Sequence, residues 1–586
     1  MKLIISFALI CLMMGSVLPL SSQKQKPLPL KDDEWVEETL KSMTLDEKVG
    51  QMLIPSTNGT FRNVDSDELK RVRRDIEVFH VGGYHAFGGD PAGAALELNR
   101  MQSLAKIPLL ITADLEGGVG YQFPGTTLLP RAMAIGATGS EDLAYQCGKI
   151  TAIEQRALGI HVNFYPVVDV NNNPANPIIN VRSFGEDPAA VSRLARAYIR
   201  GEQENGGIAT AKHFPGHGDT STDSHMELPV VNVDRARLDK VEFPSFRAAI
   251  DEGVGAVMSA HIYLPKIEDE KGLPSTLSPK ILTGILRDEM KFKGIIFTDA
   301  MTMQGVAAHY TPEDATLRAV KAGADVILHP ISTEKSFNAI KQAVQSGQIP
   351  ESRIDESVRR LLSAKAALGL NKNRYVDVNK LDELLGSTAG RDLSRKIMEN
   401  AITLVRDDKE VLPLKVDESK QVLFINLIDG VDGWGRGLPG GTFRQELMKR
   451  HAKTIDVQVT DRTTSGEFDL IKKIANVSDA IVVAGYVRVA AYRGSVSLNE
   501  AQTNMLKALI KTNKPFVFAL FGSPFLIEAL PELPSYILAY EYMPEAESAT
   551  VRAIFGEIEF KGNLPVSLPG LYPIGHGIHH TVKASQ

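Results

Sequence analysis

The 586-residue chain is poor in cysteine, with only Cys11 and Cys147. Two thiols cannot form a disulfide framework or a four-cysteine metal centre, so packing must hold the fold together. There is no tract dense in lysine and arginine, and 65 basic residues against 71 acidic ones give a formal charge of −6. Neutralising a phosphate backbone requires concentrated positive charge, so a nucleic-acid partner is excluded. Long apolar runs are missing as well: beyond the N-terminus no segment reaches the roughly 18 uninterrupted apolar residues of a membrane span. Solenoid-type repeats and low-complexity tracts are also absent. The remaining composition, 43% hydrophobic and 23% charged, belongs to a globular chain that can bury more than one core.

The first residues carry an address. Met1-Lys2 followed by the apolar run Leu3 to Val17 has the layout of a secretory signal peptide, assigned to residues 1–22. A permanent anchor is the alternative, since no clean small-x-small cleavage site precedes Gln23. A lipid on Cys11 is disfavoured, because Ala8-Leu9-Ile10 ahead of it lacks the small residues of such sites. The expectation is an exported protein, periplasmic or extracellular, with no stable transmembrane span after signal removal.

Between residues 28 and 370, eight short apolar runs alternate with stretches of helical periodicity. They are Gln51–Pro55, Val81–Tyr84, Leu109–Asp114, Val162–Tyr165, Ile208–His213, Ala256–His261, Gly294–Asp299 and Ala324–His329. The fold class expected is α/β, with a (β/α)8 TIM-like barrel as the first domain. A doubly wound sheet has the same alternation and stays open as the alternative. Several runs end in Asp114, His213, His261, Asp299 or His329, as they would if the carboxyl ends of barrel strands formed a catalytic face. A polar connector, residues 371–395, leads into a helix at Asp392 to Val405. Residues 396–586 follow as a smaller three-layer α/β/α sandwich, with strands at Val422–Leu427, Ala480–Gly485, Phe516–Phe521 and Tyr536–Tyr540. The terminal His576-Gly-Ile-His579-His580 reads as a solvated tail in preference to a loose metal site.

Ionisable residues concentrate in Lys212-His213-Phe-Pro-Gly-His217-Gly-Asp219-Thr-Ser-Thr-Asp223-Ser-His225, which runs from the fifth strand into a Gly/Ser/Thr-rich loop. His217, Asp219, Asp223 and His225 are metal ligands by type, yet no HExxH or cysteine-rich spacing accompanies them, and no metal is expected. Asp223 and His225 stand two apart, so in an extended loop the carboxylate can accept the imidazole Nδ1–H and make His225 a directed proton carrier. A turn cap with a surface histidine is the competing reading. Asp299 ends an apolar strand, where a carboxylate is held rigidly and partly desolvated, as a nucleophile requires. It could instead cap a helix from Met301 to Ala308. Asp114, Glu116 and the Gly117-Gly118 turn suit a place where a ligand approaches backbone.

Together, Lys212-His213-Phe-Pro-Gly-His-Gly, Asp223-Ser-His225, Leu228-Pro229 and Thr298-Asp299-Ala-Met resemble the peptidoglycan-recycling β-N-acetylglucosaminidase branch of glycoside hydrolase family 3, in its two-domain form. Asp114-Leu-Glu116-Gly-Gly is similar to that branch's sugar-binding turn, and Asn176 through Pro188 to its fourth-strand loop. Ile397 through Arg406 to Leu412-Pro-Leu is similar to the family's entry into its second domain. The resemblance implies Asp299 as nucleophile, His225 with Asp223 as acid/base dyad, and Asp114, Arg182, Lys212 and His213 as the residues holding a terminal N-acetylglucosamine. It implies no cofactor, a carbohydrate partner (muropeptide sugars or chitooligosaccharides) and retaining hydrolysis. One position departs: where relatives carry an arginine four residues after the second glycine, this chain has Gln122. A family 3 β-glucosidase, a β-N-acetylglucosaminide phosphorylase and a non-catalytic carbohydrate-binding protein remain as alternatives.

Overall fold

A computed structural model describes residues 34–434, 437–489 and 496–579. The proposed signal peptide, Cys11 and His580 lie outside the described residues.

The first unit is built on nine short parallel strands: β1 (Leu53–Ile54), β2 (Ser56–Asn58), β3 (Gly83–Phe87), β4 (Leu110–Ala113), β5 (Val162–Asn163), β6 (Ile208–Phe214), β7 (Ala256–Ser259), β8 (Ile295–Phe297) and β9 (Ile327–Leu328). Seven of them form one sheet in the order β2-β3-β4-β5-β6-β7-β8. Strand order follows chain order without reversal, which excludes the doubly wound alternative for this unit. β1 runs into β2 across Pro55, which has no N–H for the ladder, while the Pro55 carbonyl accepts from His85 N at 2.9 Å. β1 pairs in parallel with β9, and Thr298 N beyond β8 donates to Val326 O at 3.0 Å. Most expected runs thus hold strands that are shorter or shifted, Ala324–His329 keeping only Ile327–Leu328, while the run at Ile208 extends one residue further to Phe214; the ladder ends where a strand turns into its loop.

The helices between strands carry the capping chemistry their sequences announce. Ser140 caps Glu141–Leu158, which stops at Gly159 in the left-handed region, and Asp187 caps Pro188–Glu204 with Pro188 in the first turn. These two helices pack tightly through glycine: a β-carbon on Gly201 would lie 2.0 Å from Tyr145 O, and one on Gly148 2.3 Å from Tyr198 O.

Helix Thr388–Ala401, capped by Ser387, carries the chain into the second unit. It starts earlier than the expected Asp392 and stops at Ala401. The β-branched and apolar Thr403-Leu-Val that follow enter strand β10 (Thr403–Asp407). β11 (Val422–Ile428), β12 (Thr454–Val459), β13 (Ala480–Val487), β14 (Phe516–Gly522) and β15 (Ser535–Leu538) complete a six-stranded sheet in the order β10-β15-β14-β13-β11-β12. Only β10 runs antiparallel, to β15. β13 and β14 are buried along their whole length, as a sheet covered on both faces must be. β12 was not legible from an apolar run, because it is a partly exposed strand at the sheet's edge and alternates Ile, Asp, Val and Gln.

Met133, Ala134, Ala137 and Val181 of the first unit pack into the core of the second. Of the expected solvated tail, His576 and His579 are tied to the second unit's backbone, His576 bonding to Val405 O at 2.8 Å and His579, though exposed, to Phe560 O at 3.0 Å. No described helix is long and apolar enough to cross a membrane.

Replacing Gly201 with valine is expected to destabilise the protein by about 1–3 kcal/mol through overpacking against Tyr145. Urea unfolding checks it, and an unchanged midpoint would contradict this close approach.

Candidate active site

The carboxyl ends of the first unit's strands open into a cavity of about 540 Å³. Six of the seven residues to which the resemblance gives a role line it: Asp114, Arg182, Lys212, His213, His225 and Asp299. Asp223 is buried behind His225.

At one side the loop after β4 delivers Asp114 and Glu116. Gly118 turns the chain at φ +70°, and Gly117 O accepts from Leu129 N at 2.8 Å, folding the loop back closely. Lys212 Nζ meets Asp114 Oδ1 at 2.7 Å and Glu116 Oε1 at 3.0 Å. The Arg182 guanidinium forks onto Glu116, with Nε to Oε2 at 2.8 Å and Nη2 to Oε1 at 2.7 Å. Burial alone would raise both acids. The Arg182 and Lys212 charges beside Glu116 outweigh it and hold that carboxyl well below its usual range. Lys212, chiefly, together with His85 keeps Asp114 low in the same way. Burial pulls Lys212 down while the two carboxylates, with the larger combined effect, push it up. The cluster therefore stays charged.

Lys212 and His213, joined by a cis peptide, lie in β6 just before its last residue, Phe214. His213 Nδ1 lies 2.7 Å from Asp169 Oδ2, and Asp169 also accepts from the backbone of His213 and His217. Its Nε2 is 3.5 Å from Arg182 Nη2. The loop then folds on itself. His217 Nε2 bonds to Ser224 Oγ at 2.9 Å and Nδ1 to Thr220 Oγ1 at 3.0 Å, while Asn176 Nδ2 donates to the carbonyls of His217 and Gly218. Asp223 Oδ1 accepts both the His225 backbone N–H at 2.9 Å and the His225 Nδ1 at 2.8 Å. Turn capping and imidazole pairing, competing readings of the sequence, are thus one interaction. Asp219 lies apart, towards Arg237, and among the described residues no cluster has the make-up of a metal site.

Asp299 sits just past β8, with Oδ1 accepting from Ala300 N at 2.7 Å. It caps no helix; the nearest one begins at Gln304, short of the expected Met301, with Met303 in the cap position. Burial acts to raise its pKa, but the imidazoles of His261, His213 and His225, with the Ala300 N–H, bring it down to about 2. His261 is fixed by Thr276 Oγ1 and Ala300 O. Burial pushes His85 to about 3 and His329 to about 4, so both stay neutral at physiological pH.

Sequence reading missed several members. Asp169, buried behind His213, follows the apolar Val167-Val168 and could have been flagged as a strand-end acid; Tyr121, Arg131 and Val489 line the cavity itself. Val489 comes from the second unit, and nothing local in its sequence announces that.

The arrangement provides one half-buried ionised carboxylate, a solvent-accessible imidazole aligned by a second carboxylate, and a fixed set of charges and donors lining the same cavity. This suits nucleophilic attack with proton delivery on a small polar substrate.

Comparison with known proteins matches residues 44–364 to the Glycosyl hydrolase family 3 N terminal domain and residues 402–574 to the Glycosyl hydrolase family 3 C-terminal domain. A beta-N-acetylglucosaminidase/beta-glucosidase of Cellulomonas fimi is 31% identical over 92% of this chain and 97% of its own length. A glycoside hydrolase family 3 beta-N-acetylglucosaminidase from Paenibacillus sp. str. FPU-7 is 34% identical. It superposes with a TM-score of 0.80 over 93% of this chain and 100% of that one. A beta-glucoside phosphorylase, 27% identical, gives a TM-score of 0.82 over 91% and 96%.

Glu116 and Asp114 are depressed in the folded protein. The stability they contribute is therefore full above the ordinary carboxylate pKa of about 4 and is lost as pH falls through their lowered values. Glu116→Gln is expected to destabilise the neutral-pH protein by about 3–5 kcal/mol, since it leaves Arg182 without its partner. It should also flatten the acid decline of the thermal midpoint; measuring that midpoint from pH 7 to 3 checks both.

Proposed function

We propose, from the premise that the chain belongs to glycosyl hydrolase family 3, that it is a retaining exo-β-N-acetylglucosaminidase removing terminal β-linked N-acetylglucosamine from muropeptide sugars or chitooligosaccharides. The observation that carries this reading is His225, aligned by Asp223 and lining the same cavity as the ionised Asp299.

In this reading the first unit is a (β/α)8 barrel, its ends joined by the β1–β9 pair, and the second an α/β/α sandwich. Asp299 Oδ attacks the anomeric carbon as the bond to the leaving oxygen breaks, and His225 Nε2–H gives that oxygen its proton. His225 then takes a proton from water, whose oxygen displaces the Asp299 carboxylate from the same carbon. Two displacements preserve the β configuration. Asp114, Lys212, Arg182 and His213 hold the sugar's hydroxyls, positioned by Glu116 and Asp169. Met1-Lys2 and the run Leu3 to Val17 support export to the periplasm or beyond.

A second reading is phosphorolysis. It is favoured by a histidine in the acid/base place, which does not repel incoming phosphate as a carboxylate would, and by the likeness to a beta-glucoside phosphorylase.

A panel of aryl β-glycosides is expected to show the N-acetylglucosaminide turned over fastest, ahead of glucoside and xyloside; a preference for glucoside would reverse the substrate. Adding phosphate separates the second reading, because a sugar 1-phosphate cannot arise by hydrolysis. His225→Ala is expected to lower kcat/KM by about 10²–10⁴-fold for alkyl or sugar leaving groups and far less for dinitrophenyl glycosides. Equal losses across that series would remove the acid role.

A further inference from the structure

Arg131 has no part in the chemistry above, yet it is only 8% exposed, lines the cavity, and contacts both units. Its Nη1 donates to Val489 O at 3.2 Å and its Nε lies 3.4 Å from Glu541 Oε2, both in the second unit. On the other side Nη2 reaches Tyr121 OH at 3.3 Å, and the guanidinium stands 5.5 Å from the centre of the Tyr121 ring. Tyr121, 37% exposed, is one of the aromatic side chains on the cavity wall.

The second unit's topology explains why it reaches this point. Its parallel strands run β12-β11-β13-β14-β15, so chain order reverses between β11 and β13. In open α/β sheets, crevices that take ligands lie beyond the carboxyl ends of the strands at such a reversal. Here those ends lead to Asp429 and to Arg488-Val489, tied together by Arg488 N to Asp429 Oδ2 at 2.7 Å. In this protein Val489 projects from that place into the first unit's cavity.

We propose that Arg131 is a positioning residue through which the second unit holds Tyr121 as a sugar-facing wall, making affinity for the glycan depend on contacts outside the reacting groups. A pyranose presents C–H groups on one face and hydroxyls around its edge. A fixed aromatic ring beside charged donors is complementary to it, and holding the ring in advance lowers the ordering cost of binding. A guanidinium does this where an ammonium would not, since its planar fork serves a carbonyl, a carboxylate and a phenol at once.

The inference rests on the glycosidase reading, and its test is arranged to separate the two. In an Asp299→Asn background, which keeps a disaccharide intact, calorimetry with N,N′-diacetylchitobiose and, in parallel, cellobiose gives Kd directly. Arg131→Met and Tyr121→Ala are each expected to weaken binding about 5- to 20-fold, and the double variant no more than the weaker-binding single, because both remove the same wall. Glu541→Gln, at a residue that does not line the cavity, is expected to weaken binding 2- to 3-fold. In the otherwise native enzyme the same changes raise KM and leave kcat within about threefold. Additive losses, a fall in kcat at constant KM, or a lowered melting temperature with unchanged Kd would overturn the proposal and leave Arg131 as interface packing alone. Binding of cellobiose in place of chitobiose would end the substrate assignment while the Arg131 ratios still judge this one. If neither disaccharide binds, both fall.

Discussion

A lysine and an arginine can be buried under a sugar-sized cavity only because Asp114 and Glu116 meet them there. Desolvating either cation alone would cost several kcal/mol, and desolvating either carboxylate alone would drive it to its neutral form. Paired, all four remain ionised, and Glu116 is bound from two sides by Arg182 and Lys212. This requirement shapes the backbone around it. The loop after β4 must turn at Gly118, the loop after β5 must present Arg182, and β6 must carry Lys212 near its carboxyl end. A polar substrate then meets charges that need no rearrangement, which is where preorganised sites gain most.

The imidazoles sort by what stands behind them. His213 and His225 each have a carboxylate on Nδ1, Asp169 and Asp223 respectively. His261 and His217 are held instead by hydroxyls or a carbonyl, and His85, near Asp114, has a hydroxyl on Nδ1; His329 lines the cavity half-buried. Where burial dominates, as at His85, His217 and His329, the ring is neutral and serves as shape and hydrogen-bond partner. One ring combines a carboxylate support, contact with the cavity and a place on a loop above the strand ends, and that ring is His225. The His217–Ser224 and Asn176 hydrogen bonds give its loop a defined path.

Family membership fixes the reaction class to glycoside chemistry; in the reading proposed above, the choice of sugar falls to the cavity's outer wall. That wall is where this chain departs from its expected pattern: Gln122 stands at the anticipated arginine, while Arg131 reaches the cavity from farther along the same loop. The two units are thus joined at the cavity wall, where Arg131 meets Val489 and Glu541, and the proposed link of the second unit to specificity rests on that contact.

Much was legible before any coordinates. Apolar runs closed by Asp114, His213 or Asp299 state both the strand and the end of it that carries chemistry, since buried strands and exposed ionisable ends are local requirements. The spacing of Asp223 and His225 put their contact within reach, but the contact forms in a turn, with Met226 N donating to Asp223 O, and not in the extended loop expected. What no local pattern could supply were partners far apart in the chain: Glu116 with Arg182, Asp169 with His213, Arg131 with Val489 and Glu541. Edge strand β12 escaped for a related reason, as half-exposed alternation is a weak signal until a neighbour pairs with it. The sequence by itself determined which chemical groups the protein owns and the order in which strands offer them. Only the tertiary structure decided which groups share a dielectric environment, because pairing energies and pKa values depend on distance and burial rather than on position along the chain.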